Sequence, residues 1–460
     1  MEYGMLVLIP PVVIIGLALW SRKSFSSLMI GSIVAIIIMY GVSIEAIMDL
    51  VYGVVMDGDV QWTIMLTGTF GALIYLLQAS RGIDAFTEVV SKFASNARRT
   101  MVAAWAVGIV VFIGDMLNIM AVGVTMKKLT DKYKVPREML AYIMDSTAAP
   151  VAVLAPVSSW AAFFAIVMMG QPEIDFGTTS QVAAYVQIIP FLFYPMFTVL
   201  TVFLLSMGYL PLVGPMKKAF ERAQSGGGVY SEYSKRFNEG EELSKEAQAV
   251  QDKNTPPRII NFALPILTLV FVAIFYGDVL VAGFIATLVI ILLIFVQRIA
   301  SYKEVCQIAM DGFTSMVPML MIIVGAFMAR DSLVAMGLPE YVVTHLEPLM
   351  SPVFLAAITF LATATLSFVT SSSWGVPAVM VPIVIPLAAA VGAPLMLVAG
   401  AVVSAASFGS HACFYSDATV ITSAIAKIEN TEHAFSQFPY ALFAAGCAFV
   451  AFVIAGFFMV

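Results

Sequence analysis

Charge is scarce in this chain. Lysine, arginine, aspartate and glutamate make up 11% of its 460 residues, whereas an ordinary soluble domain carries about 25%. Cysteine is scarcer, and Cys306, Cys413 and Cys447 are an odd set at no metal-ligand spacing. They predict neither a disulfide framework nor a zinc site. The low charge also leaves no basic face for binding nucleic acid.

Several functional motifs are missing as well. No phosphate-binding loop, Rossmann fingerprint or nucleophile elbow occurs, so we expect neither an energising ATPase domain, nor an enzyme, nor an organic cofactor. The first apolar run lacks a basic leader and a small-residue cleavage site. We therefore expect it to be a retained span and not a signal peptide.

Apolar residues are abundant instead. They form 61% of the chain, and the mean hydropathy is +0.96. A transmembrane helix needs about 20 predominantly apolar residues. We predict an all-α polytopic protein that spans the lipid bilayer of a bacterial or archaeal cell, and its sequence leaves a homodimer open. The apolar runs are 5–20, 27–40, 62–79, 101–126, 139–170, 183–207, 259–277, 279–297, 312–329, 353–369, 376–391, 393–427 and 437–460.

The sparse basic residues indicate how the spans are oriented. Lysine and arginine concentrate at 22–23, 81–99, 127–137 and 217–258, and acidic stretches free of them lie between. Basic loops of a membrane protein stay in the cytoplasm. Segment 101–126 is flanked by a basic loop on both sides, so a simple crossing would place one of these loops outside.

A helix–break–helix hairpin would resolve this conflict. It would enter and leave the membrane on the cytoplasmic side, with its tip at the Gly-Asp-Met-Leu-Asn run of residues 114–118. Irregular backbone at membrane depth is tolerated only where it is buried in protein or lines a cavity. The alternative is one ordinary span with a tolerated basic loop.

Two halves of the chain, 1–211 and 259–460, resemble each other across a polar linker at 212–258. Val-Pro at 135–136 corresponds to Ala-Pro at 393–394. By the loop charges, the first half begins outside the membrane and the second begins inside. Repeats of opposite orientation that contain discontinuous helices are typical of secondary transporters.

The candidate breaks recur at similar places in both halves. The tip at 114–118 aligns with 370–374, and serine-containing stretches at 157–160 and 415–417 follow the two prolines at the same distance. Each half is therefore predicted to contain a re-entrant hairpin and a long span interrupted by polar residues.

Acidic residues inside apolar runs are the strongest functional signal. Asp115, Asp145 and Asp417 each lie near small or helix-breaking residues. A carboxylate in hydrocarbon is costly and usually faces a partner, a cavity or a permeating ion. Hard oxygen ligands and the ends of broken helices suit a small cation. The predicted ion or solute site comprises Asp115, Asn118, Asp145, Ser158, Ser159, Ser372, Ser373, His411, Ser416, Asp417 and Thr419, with Asp115, Asn118 and Asp417 as Na+ ligands.

Other polar and aromatic residues have less specific roles. His411 is either a proton relay beside Asp417 or a neutral histidine that fixes a turn. We expect Trp160 and Trp374 to pack against hairpin tips. His433 and His345 are expected in loops or at helix ends without special neighbours, and the linker is expected to be a solvated cytoplasmic connector.

Short motifs follow one another over most of the chain. They are Gly-Asp-Met-Leu-Asn at 114–118, Leu-Thr-Asp-Lys-Tyr-Lys at 129–134, Asp-Ser-Thr-Ala-Ala-Pro at 145–150, Ala-Pro-Val-Ser-Ser-Trp at 155–160, Ser-Ser-Trp-Gly at 372–375, Val-Pro-Ile-Val-Ile-Pro at 381–386, Gly-Ser-His at 409–411 and Ser-Asp at 416–417. Together they resemble the NhaC-type Na+/H+ antiporter family, part of a broad superfamily of ion transporters. The resemblance implies a secondary active transporter with Na+ and H+ as coupling ions.

The chain also departs from the pattern of this subgroup. Gly114 and Ser410 stand where the pattern has acidic residues, and Ala412, Cys413 and Phe414 replace a Cys-Ser-Pro run. Two fewer carboxylates leave fewer ligands for a cation. The family includes members thought to move amino acids or carboxylates, so transport of an organic solute stays open.

Four functions are therefore considered. The leading hypothesis is Na+/H+ exchange by alternating access at a midplane site, with Asp145 coupling or stabilising. The second is Na+- or H+-coupled transport of a small organic solute such as an amino acid or a carboxylate. An intramembrane aspartyl protease is disfavoured because Phe112 stands where Gly-x-Gly-Asp requires glycine. A passive channel would need to be distinguished by measuring whether transport saturates and runs uphill.

Overall fold

The chain folds into helices and connecting turns. The computed structural model describes residues 3–21, 24–91, 95–112, 114–156, 158–238, 250, 256–276, 279–338, 341, 344 and 351–460, and these include no strand. We number the helices α1 Ile9–Ser21, α2 Ser24–Tyr40, α3 Ile44–Met56, α4 Gly58–Ala79, α5 Gly82–Ser91, α6 Ala97–Val110, α7 Asp115–Lys132, α8 Arg137–Thr147, α9 Ala149–Leu154, α10 Ser159–Met169, α11 Gln181–Ile188, α12 Phe193–Met207, α13 Gly214–Gln224, α14 Ile260–Tyr276, α15 Val279–Val296, α16 Tyr302–Thr314, α17 Val317–Ala335, α18 Leu355–Thr370, α19 Gly375–Val391, α20 Leu395–Ala412, α21 Asp417–Ala426 and α22 Asn430–Met459.

Helix length and composition fit a membrane. Within the described residues, three helical stretches are long and apolar enough to cross it, namely Val60–Ala79, Leu395–Ala426 and Asn430–Met459, and a pair bent by 65° at residue 192 makes a fourth if it is counted as one span. Shorter apolar helices of 10–17 residues accompany them. Because several apolar segments are interrupted, their helices are shorter than a full span. The prediction of an all-α polytopic membrane protein is confirmed.

The expected interruptions of the helices are present. α6 ends at Val110 and α7 begins at Asp115, and the two helices contact each other. α18 ends at Thr370, and Ser371 takes a positive φ of 53° before α19 begins. α20 and α21 are separated by an extended turn that begins at Cys413. Each interruption leaves backbone groups at a helix end without intrahelical partners.

Both flanks of the α6–α7 segment lie at the same end of the molecule. Arg98, at the start of α6, lies beside Gly208 at the end of α12, where the linker begins. Lys127, in the last turns of α7, interacts electrostatically with Arg137 and Lys427. This placement is the one that the hairpin hypothesis requires. The opposite orientation of the two halves stays a prediction.

Most of the described part of the linker is exposed or half-buried, but several of its residues pack against the helices. α13 buries one face, and Asn238 is buried where its amide donates to the carbonyl of Lys427 at 2.8 Å. Ser231 and Ser234 both donate to the carboxylate of Glu432 in α22. The linker therefore packs on the ends of α8, α21 and α22. Polar composition alone did not show this, because its hydroxyls and amides satisfy exposed helix ends.

Helices approach one another closely at small residues. A Cβ atom added at Gly409 of α20 would lie 2.3 Å from the Cβ of Ser367 in α18, and one at Gly71 of α4 would lie 2.3 Å from the carbonyl oxygen of Gly312 in α16. Small residues permit such contacts between membrane helices, whose association depends on close packing and hydrogen bonds.

Replacing one of these glycines should separate a helix pair. We expect Gly409→Ala to destabilise the protein by about 1–3 kcal/mol, since the new methyl group overlaps Ser367. Thermal unfolding of the detergent-solubilised protein would measure it. Gly446→Ala in α22 is the control, because nothing lies within 4 Å of its added Cβ. Equal unfolding temperatures for both variants would contradict the tight α18–α20 contact.

Candidate ion site

Two of the predicted acids occupy equivalent positions after helix breaks. Asp115 is the first residue of α7 and Asp417 is the first residue of α21. In each, Oδ1 accepts the N–H of the following residue, at 2.9 Å for Asp115 and 2.8 Å for Asp417. The positive end of each helix dipole stabilises the carboxylate there. α7 and α21 pack together, and the charges of Asp115 and Asp417 are close enough to interact.

The third acid, Asp145, is more buried than Asp115 and forms its contacts with other helices. Asp145 of α8 is fully buried. Its Oδ2 accepts hydrogen bonds from Gln437 Nε2 at 2.9 Å and Thr419 Oγ1 at 3.2 Å, and lies 3.1 Å from His433 Nε2. Its Oδ1 has no hydrogen-bond partner among the described residues. A buried carboxylate oxygen without a donor is suited to a cation or a proton.

His433 lies in the first turn of α22, as expected for a helix end, but the expectation that it has no special neighbours is wrong. His345 lies outside the described residues. His433 is fully buried in α22 and lies against Asp145. Gln437, one helical turn later, reaches the same oxygen. Residues four apart on a helix share a face, so their spacing is the signal that could have linked them. No local pattern indicates that this face meets α8.

His411 connects two hydroxyl groups within the bundle. Its Nε2 lies 3.0 Å from Ser146 Oγ and its Nδ1 lies 2.6 Å from Tyr194 OH. The side-chain amide of Gln437 donates to the backbone carbonyl of His411 at 2.5 Å. A neutral imidazole has one donor and one acceptor, and a hydroxyl can complement either. This environment fits the neutral, hydrogen-bonded role, and Tyr194 is a neighbour that the sequence did not suggest.

Asn118 forms hydrogen bonds across the break between α6 and α7. Its Nδ2 lies 2.5 Å from the carbonyl oxygen of Gly108, 2.9 Å from that of Val111 and 2.8 Å from that of Thr147. Its Oδ1 accepts from Thr147 Oγ1 at 3.3 Å. The amide therefore satisfies carbonyls at the end of α6 and at the end of α8. Most of its bonding capacity is used within the protein.

Two serines make the same pair of hydrogen bonds in the two halves. Ser158 Oγ donates to the carbonyl of Ala152 at 2.6 Å and accepts from the N–H of Ala161 at 3.0 Å. Ser416 Oγ donates to the carbonyl of Ser410 at 2.6 Å and accepts from the N–H of Thr419 at 3.2 Å. Both serines close the turn between two helices. This likeness supports the internal repeat.

The remaining predicted serines lie next to two tryptophans that contact each other. The rings of Trp160 and Trp374 are 4.5 Å apart, so the two tryptophans pack against each other at the break before α10 and the tip between α18 and α19. Ser373 is buried there, and Ser372 Oγ accepts the N–H of Gly375 at 3.1 Å. The side chain of Ser159 lies outside the described residues.

The structure thus divides the predicted site residues into two clusters. The acidic cluster contains Asp115, Asp145, Asp417, Thr419 and His411. The hydroxyl cluster contains Ser158, Ser372 and Ser373 near the tryptophan pair, and Trp160 of this pair also lies close to Asp115 of the acidic cluster. In each cluster a hairpin tip of one half meets a helix break of the other half.

Interrupted apolar helices that bring carboxylates from distant parts of the chain together define an ion-coupled membrane transporter. Residues 151–457 match the sequence model of the Na+/H+ antiporter family. The chain belongs to this family, so it is a secondary transporter and not an enzyme. The resemblance to the NhaC type is confirmed, and the family implies small cations or solutes as substrates and Na+ and H+ as coupling ions.

Two relatives extend this comparison. A Haemophilus influenzae protein named only "Uncharacterized protein" is 26% identical over an alignment of 495 residues, which covers 98% of this chain and 90% of the relative. The Malate-2H(+)/Na(+)-lactate antiporter of Bacillus subtilis is 30% identical over 134 residues, 29% of this chain and 28% of that protein.

The hydrogen bonds of Asn118 predict a structural role that can be measured. Asn118→Leu should lower the stability by roughly 2–4 kcal/mol even without Na+, because it leaves buried carbonyls without donors. Asp115→Asn should unfold at the wild-type temperature without Na+, but should lose any stabilisation by Na+. Thermal unfolding with and without NaCl compares the two. If Asn118→Leu were as stable as wild type without Na+, the structural role of the Asn118 hydrogen bonds would be contradicted.

Proposed function

We propose that this protein exchanges Na+ for H+ across a bacterial cytoplasmic membrane. The observation that carries the proposal is the meeting of Asp115, Asp145 and Asp417 at interrupted helices, with one buried oxygen of Asp145 lacking a hydrogen-bond partner among the described residues. Three acids this close repel one another when they are all ionised. A bound Na+ or a bound proton relieves this repulsion.

The geometry suggests separate roles for the acids. Asp115 and Asp417 each keep one oxygen bonded to backbone, and Trp160 lies close to the carboxylate of Asp115. A hydrated ion would have to displace the donors that reach Asp145 from α21 and α22, whereas its Oδ1 would take a proton. Na+ between Asp115 and Asp417 and a proton on Asp145 would then be alternatives, which is the requirement for antiport.

Alternating access would use the two halves. The acidic cluster joins the tip between α6 and α7 to the break before α21, and the hydroxyl cluster joins the tip between α18 and α19 to the break before α10. Movement of one half against the other would change which side of the membrane reaches the acids. The opposite orientation of the halves and the cytoplasmic position of the linker are parts of this proposal.

Coupled transport of a small organic solute is the second candidate. The hydroxyl cluster favours it, because buried Ser373 Oγ has no hydrogen-bond partner among the described residues and could bind a polar solute. The printed name of the Bacillus subtilis relative describes the exchange of carboxylates with H+ and Na+.

The assigned roles predict different transport defects. In proteoliposomes with a pH-sensitive dye inside, wild type should alkalinise the lumen when Na+ is added outside at roughly pH 6–9, because Na+ enters as H+ leaves. Asp115→Asn and Asp417→Asn should abolish both Na+/H+ and Na+/Na+ exchange. Asp145→Asn should keep the exchange of labelled Na+ for unlabelled Na+ and lose the pH response, because an amide cannot carry the proton.

Glu232→Gln is the matched control, since this linker side chain is exposed, and it should transport as wild type does. A wild type that shows no Na+-dependent pH change would overturn the exchange of Na+ for H+. Loss of labelled Na+ exchange in Asp145→Asn would overturn the division of roles.

The second candidate predicts cooperative stabilisation. Thermal unfolding should then rise with an amino acid or carboxylate and Na+ together by more than with either alone, since each ligand would complete the other's site. A panel of amino acids and small carboxylates tests this directly. An additive response, or none for the whole panel, would count against it.

A further inference from the structure

A cleft lined by lysines lies at the linker end of the bundle, away from the acids. It is formed by α4, α7 and the end of α21, and its polar side chains are Gln78, Lys127, Lys128 and Lys427. No carboxylate is among its lining residues. The residues predicted to bind ions do not account for this concentration of positive charge.

Lys427 is the most unusual of these residues. It is 7% exposed, and its ammonium group lies 5.7 Å from the centre of the Tyr75 ring without an ion pair among the described residues. Lys127 and Arg137 are near enough for their positive charges to repel it. A buried ammonium group with cations as neighbours is unfavourable unless an anion accompanies it.

The acids nearby already have partners. Lys128 pairs with Asp84, which also accepts from Arg81 at 3.2 Å. Asp131 accepts from the Arg137 guanidinium at 2.9 Å. These carboxylates therefore do not neutralise Lys427.

The cleft adjoins a second cavity. Ile74, Met316 and Ile425 line both the cleft and a second cavity deeper in the bundle. The deeper cavity reaches Met116 and Ile421, which lie one residue from Asp115 and four residues from Asp417.

The deeper cavity contains few polar groups. Its lining is otherwise apolar apart from Thr67, whose buried hydroxyl has no hydrogen-bond partner among the described residues. Three of the side chains that line the deeper cavity are methionines. Methionine is unbranched and flexible, so these side chains can rearrange.

We propose that this cleft binds a small carboxylate anion and is the cytoplasmic mouth of the transport route. This inference rests on the proposed secondary transport and specifies the substrate class of its second candidate. A mouth of positive charge repels bare Na+, whereas an organic anion neutralises it and could meet Na+ at the acids. The ammonium groups of Lys128 and Lys427 bind the carboxylate, and Lys127 adds positive charge.

Binding of radiolabelled succinate to the full-length protein tests the proposal. Equilibrium dialysis would use nanodiscs of zwitterionic phosphatidylcholine, so that no anionic headgroup competes. Wild type should bind saturably, and Lys128→Gln and Lys427→Asn should each weaken binding by roughly tenfold, the effect of losing one charge-assisted contact. Asparagine suits the positive φ of 57° at position 427.

The matched control is Lys132→Gln, an exposed lysine on the same helix that does not line the cleft, and it should bind as wild type does. Absence of saturable binding to wild type would overturn the proposal, and so would equal weakening by Lys132→Gln. Retention of phosphatidylglycerol that depends on Lys427, without succinate binding, would assign the cleft to a lipid headgroup and also overturn it.

The experiment is independent of Na+/H+ exchange. Succinate binding is measured without a gradient, and the pH response of proteoliposomes is measured without succinate. Failure of exchange with intact, lysine-dependent binding would leave the anion site standing. Failure of binding with intact exchange would remove the anion site alone.

Discussion

The structure depends on one buried carboxylate and the donors that surround it. Asp145 belongs to α8, while Thr419, His433 and Gln437 reach it from α21 and α22. A buried carboxylate without donors would cost several kcal/mol, so these hydrogen bonds hold α8 against α21 and α22.

The linker gives this interaction a second support. Ser231 and Ser234 bind Glu432, directly before His433, and Arg236 pairs with Glu429. At the start of α8, Arg137 contacts Asn238 of the linker. The helices that meet at Asp145 are thus fixed at their linker ends by one connecting segment. Movement at the acids and movement of the linker are consequently expected to be coupled.

The cleft between α4, α7 and the end of α21 is lined by lysines, and the cavity beside it is lined by apolar side chains and Thr67. The predicted site residues differ in charge as well, since Asp115 and Asp417 are acidic whereas Ser158, Ser372 and Ser373 are neutral.

The sequence by itself determined the helical membrane class, the places where helices break and the acids that follow the breaks. These features depend on local properties, namely long apolar runs, prolines and glycines, and the cost of a carboxylate in hydrocarbon. Only the tertiary structure decided which polar groups meet. Asn118 bonds to the ends of α6 and α8, and His433 lies against Asp145, because helices far apart in the chain pack face to face. No local pattern encodes the partner of a buried side chain. The packing of the linker and the burial of Lys427 depend on contacts of the same long-range kind.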